Sequence, residues 1–195
     1  MGKTLTAADL LSLEQYSRER AAIRARMISY RATRRLAVGP NCTWSFEDLE
    51  TVRYQVQEML RTERIFEAAG IADELAAYIP LIPEGRNLKA TLLVEYPDPQ
   101  ERAQRLTELR GIERHCWLRV GADAPVYAVA DEDLERENDT KTSAVHFLRF
   151  EFTPQQVTAL RGGAPFAAGI DLPAYQHSVE PLPAELRATL LADFD

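Results

Sequence analysis

Apolar residues recur every three to four positions through the first eighty residues and every second position after residue 88. That change of period divides the chain into a helix-forming and a sheet-forming part. Thr6-Ala7-Ala8-Asp9 resembles a capping box with Asp9 in the place usual for Glu or Gln. It predicts a long helix from there to about Thr33, with Leu10, Leu13, Tyr16, Ile23, Met27 and Tyr30 on its inner face. Leu36 to Val38, the turn Gly39-Pro40-Asn41 and Thr43 to Phe46 read as a hairpin. Asp48 caps a second helix, read as Leu49 to Phe66, which breaks near Gly70 and resumes through Ala72 to Tyr78 before Pro80 and Pro83.

From Leu88 the alternation places Leu88, Ala90, Leu92, Val94 and Tyr96 on one face of a strand and Lys89, Thr91, Leu93 and Glu95 on the other. A polar helix, Gln100 to Leu109, separates it from strands at His115–Val120, Val126–Ala130 and Ala144–Phe152. An acidic loop, Asp131 to Lys141, lies between the last two. Thr153-Pro154 opens a short helix that Gly162-Gly163 stops, and Phe166–Leu172 and Pro183–Leu191 read as a final strand and helix. Short connections favour antiparallel pairing. The expected fold is therefore α+β: one mainly antiparallel sheet of the four strands from Leu88 to Phe152, packed by long N-terminal helices. It is expected as a single domain, with a helical part at about 6–79, a sheet-rich part at about 88–172 and a short helix at about 183–191.

The candidate chemistry lies where charge enters an apolar stripe. In a helix over Leu49–Phe66, Glu63 falls among Val52, Val56, Met59 and Leu60. Arg20, Arg24 and Arg31 project within the apolar arc of the first helix. A buried carboxylate needs a partner, a proton, a metal or a ligand. Glu63 is therefore expected to be buried and bonded to Arg24 or Arg20. The four residues form either a desolvated ion-pair network or a polar pocket that binds a small anion. If the strands pair as read, Thr91, Glu95, Arg149 and Glu151 also share the second face of the sheet, as a site or as a solvated surface.

Charge and composition narrow the function classes. A net charge of −7 argues against general phosphate-backbone binding, although Arg18 to Arg35 holds seven arginines and one glutamate. No apolar run reaches a membrane span and no signal-peptide core is present, so a cytoplasmic protein away from the membrane is expected. Cys42 and Cys116 form no CxxC and read as buried thiols. His115, His146 and His177 have no metal-ligand spacing, and His146 reads as a hydrogen-bonded core residue. The nucleotide-binding glycine loops and the GxSxG elbow are missing. No metal and no other cofactor is expected.

Several segments carry a resemblance. They include Ala37-Val38-Gly39-Pro40, Gln55 to Arg64, Pro80-Leu81-Ile82-Pro83, Lys89 to Glu95, Gly111 to His115 and Ala144 to Phe150. In these the chain resembles the bacterial domain-of-unknown-function family 3501 over nearly its whole length. The family has no established activity to carry over. Its genes are often near those for rubrerythrin and for an iron–sulfur oxidoreductase similar to heterodisulfide reductase subunits. The resemblance thus implies a redox or oxidative-stress setting and a protein partner of that type. The function expected is a non-catalytic accessory or binding protein. The alternative is an enzyme or small-anion binder with its pocket around Glu63 and the arginines of the first helix.

Overall fold

A computed structural model describes residues 4–130 and 142–195, so the acidic loop lies outside the described residues. Thr6 does cap a turn: its N–H and hydroxyl donate to the Asp9 carboxylate at 2.8 and 2.7 Å. That turn is a short 3₁₀ segment, Ala7–Asp9, and α1 (Leu13–Ala32) starts afresh behind its own cap, Ser12. β1 (Arg35–Ala37) and β2 (Cys42–Phe46) form the hairpin read from the sequence. α2 (Leu49–Thr62) follows with Asp48 as its cap, then α3 (Ala68–Tyr78). Next come β3 (Asn87–Val94), α4 (Pro99–Glu108), β4 (Cys116–Val120), β5 (Val126–Tyr127) and β6 (Val129–Ala130). The chain closes with β7 (Val145–Glu151), α5 (Pro154–Arg161), β8 (Phe166–Leu172), β9 (Tyr175–Val179) and α6 (Ala184–Leu191).

The fold is α+β and all the pairings are antiparallel, but two sheets replace the one expected. One has the order β1-β2-β3-β7-β6 and the other β5-β4-β8-β9. The segment read as one strand, Val126–Ala130, divides at Ala128. Tyr127 pairs with Trp117 in the second sheet, whereas Val129 pairs with Arg149 in the first. Ala128 marks the crossing, its N–H donating to the Cys116 carbonyl at 2.8 Å. The strand β9 was missed because its exposed run Gln176-His177-Ser178 carries no alternation of apolar residues.

The inward faces of both sheets form the main core with α4, α5 and α6, and Trp44 stacks on Phe150 with centroids 5.4 Å apart. Trp117 is buried against the backbone of β8: a Cβ on Gly169 would meet its ring at 2.2 Å, so only glycine fits there. A separate cluster, Leu5, Val52, Val56, Leu60, Leu75 and Ile82, joins the N-terminal helices to one another. Among the described residues no helix is long and apolar enough to cross a membrane.

Arg34 joins these layers. Its guanidinium is buried, 1% exposed, just past the end of α1. It donates to the carbonyls of Phe46 (3.0 Å) and Glu47 (3.2 Å) and pairs with Asp48 (3.3 Å) and with Asp193 near the C-terminus. Tyr30 donates its hydroxyl to the same Asp48 that caps α2. Removing one member of such a buried network leaves the others uncompensated. Arg34→Ala is therefore expected to cost about 3–5 kcal/mol in a urea titration; a loss below about 1 kcal/mol is the value for an exposed pair and would refute this role.

Candidate functional site

Glu63 is not buried. It is the exposed residue that ends α2, and among the described residues neither it nor the exposed Arg24 makes an ion pair. The helix stops there because Arg64 takes a left-handed conformation, φ 55°. The Ile65 N–H then reaches back to the Leu60 carbonyl at 2.8 Å, as in a Schellman ending. Ile65 packs on the cluster that contains Leu60, which completes the motif. An arginine in the position that glycine usually occupies hid this stop from the sequence.

The acid that meets Arg20 is Glu58, one and a half turns earlier. Arg20 grips it in a fork, Nε to Oε1 and Nη2 to Oε2 at 2.8 Å each, while the Tyr16 hydroxyl also donates to Oε1. Those bonds from Arg20, then Tyr16, outweigh partial burial and hold the Glu58 carboxyl below its usual range. Burial first, and Glu58 second, push the Tyr16 hydroxyl up. This pair joins α1 to α2. The signal for it was in the sequence, since Tyr16 and Arg20 stand one turn apart.

Arg31 goes elsewhere, to a groove on the outer face of the first sheet. Arg35, Ser45, Thr91 and Phe147 stand opposite one another across β1, β2, β3 and β7. One step along, Lys89, Arg149 and Val129 form a second row. α1, α2, α3 and the turn at Pro80-Leu81 wall this face without filling it. Two cavities result, of about 260 Å³ beside Arg31 and Arg35 and about 510 Å³ beside Lys89 and Arg149. Of the second-face residues expected from alternation, Thr91 and Arg149 line the groove. Glu95 and Glu151 are exposed outside it, Glu95 taking the Thr43 hydroxyl at 2.6 Å.

The charges in the groove differ in how well they are matched. Lys89 is buried, and its Nζ donates to the Pro80 carbonyl (2.7 Å) and to Glu84 (2.9 Å). Those contacts hold the Glu84 carboxyl low, the bond from Lys89 being the main cause. Arg149 pairs with Glu151. Glu47 accepts the hydroxyl protons of Thr51 (2.6 Å) and Thr91 (2.7 Å). Arg31 lies over the Tyr54 ring, 5.2 Å from its centroid, and reaches the Thr51 carbonyl only at 3.4 Å. Its Nε is buried with no hydrogen-bond partner among the described residues. Among the described residues neither Arg31 nor the exposed Arg35 has an acidic partner.

The histidines and cysteines singled out in the sequence lie away from the groove, and the other buried polar atoms without a hydrogen-bond partner among the described residues are Trp44 Nε1 and Glu113 Oε2. His146 is buried, with Nε2 at 2.9 Å from both the Thr142 hydroxyl and the Ser143 carbonyl, as its strand position predicts. His115 Nδ1 lies 2.8 Å from Asp171 on the outer face of the second sheet. Cys42 and Cys116 are free and buried, and burial pushes the Cys42 thiol up to about 11 and the Cys116 thiol well up, away from reactive thiolate. Among the described residues no cluster of three or more His, Cys, Asp or Glu side chains could hold a metal ion.

This is a two-sheet α+β protein with an open polar groove between its N-terminal helices and its larger sheet. The chain belongs to the DUF3501 family, described as "Protein of unknown function", whose model matches residues 4–194. A crystal structure of a novel protein of unknown function from Burkholderia pseudomallei K96243 is similar throughout. It has a TM-score of 0.94 and 46% identity, covering 99% of this chain and 100% of the other. No curated protein matches the chain.

The Arg20–Glu58 pair has a pH signature. A carboxylate held low in the folded state stabilises the fold fully above the ordinary glutamate pKa of about 4.3. That contribution is lost as pH falls through the depressed folded value. Glu58→Gln is expected to lower the urea midpoint at pH 7, with the gap to the parent narrowing toward pH 3. A gap that stays constant with pH would mean that the carboxylate charge has no part in it. Glu63→Ala is expected to change stability at pH 7 by less than about 1 kcal/mol.

Proposed function

We propose that this protein is a non-catalytic binding module that holds a small organic anion in the groove, at the cleft beside Arg31 and Arg35. The observation that carries this reading is the buried Arg31 Nε without an acceptor. An orphaned buried donor costs about 1–3 kcal/mol, and a turn of the Arg31 guanidinium toward a ligand carboxylate or phosphate oxygen in the cleft would satisfy it. Arg35, Ser45 and Thr91 line the same cleft and add a second cation and two hydroxyls. Two cations lining a partly closed cleft of about 260 Å³ suit recognition of one acidic group. The reading retains the anion pocket expected from the first helix but builds it on Arg31 alone of the four residues singled out. A rubrerythrin-type or iron–sulfur partner, which the family resemblance implies, would meet the module in its loaded form.

The test is an NMR titration at low salt with hexanoate as the probe. Arg31→Gln and Arg35→Gln are each expected to weaken binding at least about tenfold. Arg31→Gln should do so with little change in the urea midpoint, because the lost contacts to Tyr54 and the Thr51 carbonyl are offset by removal of an unsatisfied buried donor. Hexanoate shifts that are confined to other surfaces, or that persist unchanged in both variants, would defeat the proposal.

A further inference from the structure

The cleft at Arg31 does not end there. Glu47, Leu81 and Phe147 line both it and the cavity of about 510 Å³, so the two are one groove with a shared waist. At the far end Lys89 and Arg149 are direct cross-strand partners on β3 and β7. Like charges placed opposite each other on one sheet face are unfavourable, and here both lie on the floor of a cavity.

What offsets that repulsion comes from the rim. Lys89 is almost wholly buried, yet its partner Glu84 has a side chain 72% exposed. Arg149 is paired with Glu151, also about half exposed. A cation anchored in the floor with a solvent-borne counter-ion can exchange that counter-ion for another carboxylate without being left unmatched, since the incoming acid replaces the one that leaves. The Lys89 ammonium has three donors, of which two are used, by the Pro80 carbonyl and Glu84.

We infer that the groove takes an elongated dianionic organic molecule, one acidic group against Arg31 and Arg35 and the other against Lys89 and Arg149 in place of the Glu84 and Glu151 carboxylates. This deepens the anion-site reading and rests on it. Arg35 and Lys89 are two strands and two residues apart, through the Ser45 and Thr91 row. On the lattice of a sheet that separates their Cα atoms by about 12 Å. Phe147 and Leu81 supply an apolar bed for the linking carbons. Glu47 sits at the waist with both oxygens already accepting threonine protons, so it excludes a third acidic group there and accepts a hydroxyl or amino donor instead.

The experiment uses calorimetry with the straight-chain dicarboxylates from glutarate to suberate, and hexanoate as the single-charge control. One member of the dicarboxylate series is expected to bind at least tenfold tighter than hexanoate, with affinity falling on either side of that length. Arg149→Gln, at a half-exposed position, should remove this advantage and bring the dicarboxylate affinity down to that of hexanoate. Arg31→Gln should weaken both probes. The double variant Glu84→Gln, Glu151→Gln should tighten the dicarboxylate, a sign opposite to that of a structural ion pair. Arg31-dependent hexanoate binding with no gain from a second carboxylate would overturn the dianion and leave the anion site standing. Failure of both probes to bind would overturn both.

Discussion

A buried guanidinium needs an acceptor for each donor it takes out of water, and Arg34 finds them in three separate parts of the chain. The carbonyls of Phe46 and Glu47 come from the end of β2, Asp48 from the cap of α2, and Asp193 from the C-terminus. No local element could satisfy that group alone, so its burial fixes how α1, the larger sheet and the last residues meet. The consequence for the groove is direct. Arg31 lies one helical turn before Arg34 and Arg35 one residue after it. The network that immobilises Arg34 therefore also sets where the two arginines of the cleft can point.

The groove exists because the two hydrophobic clusters are separate. The inward face of the larger sheet is consumed by the sandwich with the second sheet and α4, α5 and α6. α2 and α3 bury their apolar stripes in their own cluster, with the residues that precede α1. Polar rows on the outer face are thus walled by helices that have no need to cover them. Three cations around the larger sheet show the range of outcomes. Arg34 is fully matched, Lys89 is matched partly by a rim carboxylate, and Arg31 retains a buried donor with no acceptor among the described residues. For the anion proposed to occupy the groove, more binding energy would be available at Arg31 than at Lys89, because a ligand gains most where the protein has left a polar group unpaired.

The division of Val126–Ala130 between the sheets has a similar effect. Handing the chain over at Ala128 sends Tyr127 to the second sheet and puts Val129 beside Arg149 at the lip of the larger cavity.

Period, caps and turns are local properties, and they were legible in the sequence. The hairpin of β1 and β2, the Asp48 cap, the inward face of β3, the hydrogen-bonded place of His146 and the stop at Gly162-Gly163 all follow from neighbours within a few residues. The α+β class follows from the same signals. Pairing of charges is not local. Seven arginines between Arg18 and Arg35 look alike in sequence, yet Arg20 found Glu58, Arg34 found Asp193 far along the chain, and Arg31 found no acid among the described residues. Glu63 was misplaced because a left-handed arginine ended its helix where no glycine announced it. The partition into two sheets, and the groove behind the larger one, depended on which strands met across the fold, and only tertiary structure decides that.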